Sequence, residues 1–186
     1  MNDGKAALLI MHAQPALIGM PGGDAIFPAV GEAAAGARKA GVEVIYTTIS
    51  YRSGYPELAD DDPTRGFLAE HDLFVRGTGD GVDERVAPAE GEIVLSNQNP
   101  NAFAGCELDQ ILRARRIDNL VLAGLTTSGV VFGTATQATG LSYGVTVLSD
   151  AVSDPNPVLQ EELLKLFAEP TRKMQVTTTE EWVKGL

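Results

Sequence analysis

The stretch EIVLSNQNPNAFAGCELDQILRARRIDNLVLAGLTTSGVVFGTATQATG, residues 92–140, decides the architecture. It begins with a short apolar run rich in β-branched residues, EIVLS (92–96), and passes through an amide-rich loop. ELDQILRARR (107–116) then places Leu108, Ile111 and Leu112 on one helical face. A second apolar run, NLVLAG (119–124), follows, and TSGVVFGTATQATG (127–140) reads as a further helix that stops at glycine. This is strand, helix, strand, helix, with both strands almost continuously apolar. Such strands belong to a parallel sheet covered on both faces.

The same alternation extends in both directions. AALLIM (6–11) and VEVIYTT (42–48) precede the stretch; VTVLS (145–149) and MQVTT (174–178) follow it. PAVGEAAAGARKAG (28–41) carries proline at its start and glycine at its end, the asymmetry expected of a helix. PVLQEELLKLF (157–167) has i, i+3, i+4 apolar spacing, and Thr178 with Glu181 forms a capping box ahead of Trp182. The expected fold is α/β, a Rossmann-like three-layer sandwich around a six-stranded parallel sheet, with residues 1–186 as one domain. The loop-rich stretch 49–91 reads as an ordered excursion over the site rather than a second domain.

Composition narrows the function classes. The chain has 186 residues, 44% of them hydrophobic and 21% charged, and a formal net charge of −11. This is the balance of an ordinary soluble domain, with no basic footprint for nucleic acid or anionic lipid. The N-terminal apolar run is too short for a membrane span or a signal segment, so the cytoplasm is the expected location. A single cysteine, Cys106, excludes an internal disulfide and a thiolate metal site.

In open α/β sheets ligands bind beyond the carboxyl ends of the strands, at the switch in strand order. Three addresses follow: after Met11, after Ser96 and after Gly124. The first holds His12 and, beside it, Gln14, which offers a donor and an acceptor. The second holds Asn97, Gln98, Asn99 and Asn101, whose amides either build a loop through Asx-type bonds or grip polar groups of a ligand. The third offers Thr126, Thr127 and Ser128 at a helix start whose N–H groups suit an oxyanion or carboxylate.

Other motifs read as structure. GLSYG (140–144) has the pattern of a nucleophile elbow, but its helix precedes its strand, the reverse of what the elbow needs. GTGDG (77–81) is a turn, and His71 flanks a surface helix. Cys106 falls at a helix start with no histidine near it in sequence.

Taken together, ALLIMHAQ (7–14), the long central run from PAEGEIVLS to GTATQA and YGVTVLSDAVSD (143–154) resemble the isochorismatase-like, or cysteine hydrolase, superfamily over almost the whole chain. The resemblance implies the six-stranded fold, a homodimer or homotetramer and a small-molecule substrate. It also implies a cis peptide, placed here at Leu125–Thr126. Its usual aspartate, lysine and cysteine fall on His12, Asn97 and Val130, so none of the three is retained. Valine cannot form a covalent intermediate. Nicotinamidase-type metal ligands are missing as well, since ISYRSGYPE (49–57) has no histidine.

The expectation is a divergent enzyme acting on a small organic molecule by non-covalent acid–base catalysis, without metal or cofactor. The reaction could be hydrolysis, elimination, isomerisation or cyclisation, as one step of a biosynthesis. His12 and Asn97 are the catalytic candidates, His12 because an unperturbed imidazole titrates near neutral pH. Gln14, Gln98, Phe103, Thr126, Thr127, Ser128 and Val130 are the substrate-binding candidates. The alternative is an inactive relative that binds a ligand or a protein partner through the same pocket.

Overall fold

A computed structural model describes residues 4–186. All six expected strands form: β1 (Lys5–Met11), β2 (Glu43–Ile49), β3 (Ile93–Asn97), β4 (Ile117–Leu125), β5 (Gly144–Ser153) and β6 (Met174–Thr177). Every pairing is parallel, in the order β3-β2-β1-β4-β5-β6. The chain therefore runs outward from β1 to β3, then returns to lay β4 on the other side of β1. That reversal puts the switch point between the ends of β1 and β4.

Alternation along the central strands feeds two cores. Ala7, Leu9 and Met11 of β1 point to one face, Leu8 and Ile10 to the other. The first face packs on α4 (Leu108–Ala114), α5 (Phe132–Gly140) and α6 (Pro157–Phe167) through Leu112, Ala135 and Phe167. The second packs on α2 (Phe27–Ala40) and α7 (Thr179–Lys184), through Val30, Ala34 and Trp182. The edge strand β3 departs from the sequence expectation. It is covered on one face only, leaving Val94 45% exposed.

Local chemistry sets the helix ends. Gly41 closes α2 at φ +70°, the left-handed cap glycine adopts without strain. Asn156 accepts from the N–H groups of Val158 and Leu159 at the start of α6, and the Thr178–Glu181 capping box is present at α7. The helix expected over 127–140 is broken: Thr127–Val131 is a kinked π-type turn with Gly129 at φ −93°, ψ −105°, and α5 begins only at Phe132.

A short helix, α1 (Pro15–Ile18), lies between β1 and α2, and the excursion between β2 and β3 contains α3 (Pro63–Glu70) and a 3-10 turn at Glu84–Val86. It has a small core of its own in Tyr51, Tyr55, Leu68 and Phe74. His71 ends α3 and lies edge-on to Phe67, as a surface-helix residue should. Among the described residues no helix is long and apolar enough to cross a membrane.

Candidate active site

β1 ends on His12, whose backbone sits at φ +54°. Its N–H donates to the carbonyl of Thr47 at 2.8 Å, and its carbonyl accepts from Gln14 N–H at 2.8 Å. This tight turn holds an imidazole only 2% exposed at the switch point. A left-handed non-glycine residue is uncommon, and such conformations gather at functional sites.

The imidazole lies against a pocket of about 150 Å³. Leu17, Ile49, Leu125 and Val130 supply apolar wall. Gln98, Asn99 and Thr126 bring polar groups, and Tyr51 comes from the excursion. Asn97 stands behind the ring and hydrogen-bonds it, leaving Nε2 buried with no partner. Burial lowers the imidazole to about 4 from its usual 6.5, the Asn97 bond opposing the shift only in part. At neutral pH the ring is uncharged and Nε2 is an acceptor, so His12 is a proton acceptor there and not the ready donor its ordinary pKa suggests.

The amide loop largely builds itself. Asn97 donates through Nδ2 to the carbonyl of Asn101 at 3.1 Å, and its Oδ1 accepts from Asn99 N–H. Asn101 Oδ1 accepts from Phe103 N–H, an Asx turn, while its amide donates to Gln137 Oε1 on α5. Gln98 donates to the carbonyl of Ser50 at 2.8 Å, and Tyr51 donates to the carbonyl of Gln98 at 3.2 Å. Asn97 is thus held by bonds within its own loop and to the His12 ring, behind the pocket wall.

His12, Gln98, Thr126 and Val130 share the pocket, with Asn97 directly behind it. Four other candidates lie elsewhere. Gln14 is wholly buried, but it turns away from His12: Nε2 donates to the carbonyls of Ile49 and Asp80 at 2.9 Å, and Oε1 accepts from Ile49 N–H at 2.7 Å. Its three hydrogen bonds tie strand β2 to the excursion. Phe103 packs in the core against Tyr143. Thr127 is fully buried off the pocket wall, and Ser128 N–H donates to Asp154 Oδ2 at 2.9 Å instead of awaiting an oxyanion.

Sequence reasoning missed Tyr51, Ile49, Leu17 and Leu125. The end of β2 was not among the three addresses, although β2 adjoins β1 and its carboxyl end belongs to the same rim. The peptide Leu125–Thr126 is cis. Cys106 is outside the pocket; its thiol donates to the carbonyl of Ala102 at 3.0 Å and burial pushes its pKa up, so it is no activated nucleophile. Among the described residues no group of three or more His, Cys, Asp or Glu side chains could hold a metal ion.

A parallel sheet with a pocket at the β1/β4 switch point is where α/β folds bind small molecules. The isochorismatase domain model matches residues 6–181, and the chain belongs to that family. It is 30% identical over 139 residues to N-carbamoylsarcosine amidase from an Arthrobacter species, covering 74% of this chain and 53% of that protein. Maleamate amidohydrolase of Pseudomonas putida is 34% identical over 119 residues, 63% of this chain and 55% of the other. The chain thus spans little more than half the length of these two relatives. An isochorismatase family protein from Desulfovibrio vulgaris superposes with a TM-score of 0.87 at 26% identity, covering 98% of both chains.

Proposed function

We propose that this chain is a divergent family member that transforms a small organic molecule by non-covalent acid–base chemistry, with His12 as the base. The observation that carries this reading is the buried, unpartnered Nε2 at the pocket wall. An orphaned polar atom in such a place costs free energy that a ligand hydrogen bond would recover. Val130 stands where the resemblance puts the cysteine, and no thiol lines the pocket, so a covalent intermediate on sulfur has no residue to form on.

In hydrolysis, Nε2 would take a proton from a water molecule as its oxygen bonds to the substrate carbonyl carbon. In elimination or isomerisation the same nitrogen would take a proton from carbon. The relatives' names favour amide hydrolysis as the first reaction to test, and a biosynthetic step in a homodimer or homotetramer fits the family habit. No metal or cofactor enters this scheme.

A second reading has its own support. A base held near 4 is a weak one at neutral pH, whereas general bases work best with a pKa near ambient. Binding without turnover would need only the hydrogen bond to Nε2.

Untargeted mass spectrometry of a small-metabolite extract incubated with the protein separates the two. The wild type should deplete a compound, His12→Asn should do so at least about 100-fold more slowly, and Val130→Ala within about tenfold of wild type. Asparagine is chosen because it tolerates positive φ. Full activity in His12→Asn would remove the base; retention of a compound without conversion would establish the second reading.

A further inference from the structure

The pocket wall carries no Lys, Arg, Asp or Glu. Its two titratable residues are His12 and Tyr51, and the phenol is engaged with the carbonyl of Gln98. The cation in the site's hydrogen-bond network, Arg76, is exposed and reaches Ser50 Oγ at 3.5 Å, off the wall. The Gln98 amide donates to Ser50, which leaves His12 Nε2 as the buried wall atom without a partner. The Asn97 bond raises the imidazole's pKa, as an oxygen accepting from the ring N–H does, so the Asn97 carbonyl faces that N–H and Nε2 keeps its lone pair.

Resting on the reading of this pocket as the substrate site, we infer that its occupant is a small uncharged molecule with one O–H or N–H donor, directed at His12 Nε2, on an apolar body about the size of a benzene ring. Three observations converge on this. A cavity of about 150 Å³ is the size that accommodates benzene. A carboxylate or phosphate would be buried here with no cation to compensate it, which is costly in a desolvated site. The one buried wall atom without a partner is an acceptor, so the ligand group directed at it is a donor. Leu17, Ile49 and Val130 provide the surface for the body of the ligand.

Three aromatic probes of similar size test it: phenol, with a donor; anisole, without one; and benzoate, an anion. Histidine labelled with 15N gives two imidazoles only, His12 and His71, so the Nε2 resonance of His12 can be followed directly. Phenol should bind about three- to tenfold more tightly than anisole and shift that resonance, as a single net hydrogen bond implies. Benzoate should bind at least about tenfold more weakly than phenol. In His12→Asn the preference for phenol over anisole should vanish. Phenol binding no better than benzoate, or no better than anisole, would overturn the inference, the latter outcome meaning that water alone serves Nε2. If those preferences fail while His12→Asn still abolishes turnover, the base survives and this substrate class falls; if they hold without turnover, the reverse is true.

Discussion

His12 answers a question of chemistry posed by ALLIMH: a strand buried on both faces ends on this residue because its backbone closes a turn and its ring lines a pocket. Burying it neutral links folding to pH. The folded pKa, about 4, lies below the unfolded value of about 6.5, so the unfolded chain binds the proton first as pH falls. The stability this group contributes is complete above 6.5, is lost between 6.5 and 4, and amounts to about 3 kcal/mol. Urea unfolding at a series of pH values should therefore show a steeper decline across that window in wild type than in His12→Asn. Equal slopes in the two proteins would mean that the ring is solvated. The position of His12 was legible from the sequence, because an imidazole after an apolar strand has few other addresses. Its depressed basicity was not, because desolvation is a property of the packed surroundings.

At the level of elements, the end of β4 shows how close the backbones run at the switch point. Gly124 pairs with Met11 and has φ +131°, and a Cβ placed there would collide with the backbone of Met11. Gly124→Ala should cost at least about 3 kcal/mol or block folding, read as a fall in the urea midpoint, while Gly140→Ala, where a Cβ meets nothing, should change it by about 1 kcal/mol or less. Comparable losses at both sites would show that backbone approach is not the cause. The strands and most helix ends were readable because they rest on local periodicity and caps. The break at Gly129 was not, because the apolar period over 127–140 carries no sign of it; nor does periodicity encode the close approach of Gly133 in α5 to the carbonyl of Pro100.

Over the whole molecule, Gln14 is the tether between sheet and excursion. Its amide makes three bonds to the backbone, two at Ile49 and one at Asp80, while Asp80 also accepts from Ser50 and from Gly77 N–H. Gln14→Leu removes these bonds and leaves buried backbone groups unpaired, at about 1–3 kcal/mol for each group. Hydrogen exchange should accelerate at Ile49 and across 76–81 well before it changes in β4, because the excursion's own core is small. Uniform acceleration throughout the chain would show that the excursion and the sheet open as one unit.

By itself the sequence determined what nearest neighbours along the chain decide: six apolar strands, the caps of α2 and α7, and the imidazole and amides at the strand ends. Tertiary structure alone decided which of those groups face one another. Gln14, two residues from His12, points away from it, whereas Tyr51, thirty-nine residues on by number, closes the same pocket. The physical reason is that strand and turn preferences act over a few residues, while a pocket, its dielectric and its unpaired atoms arise only where distant segments are packed against each other.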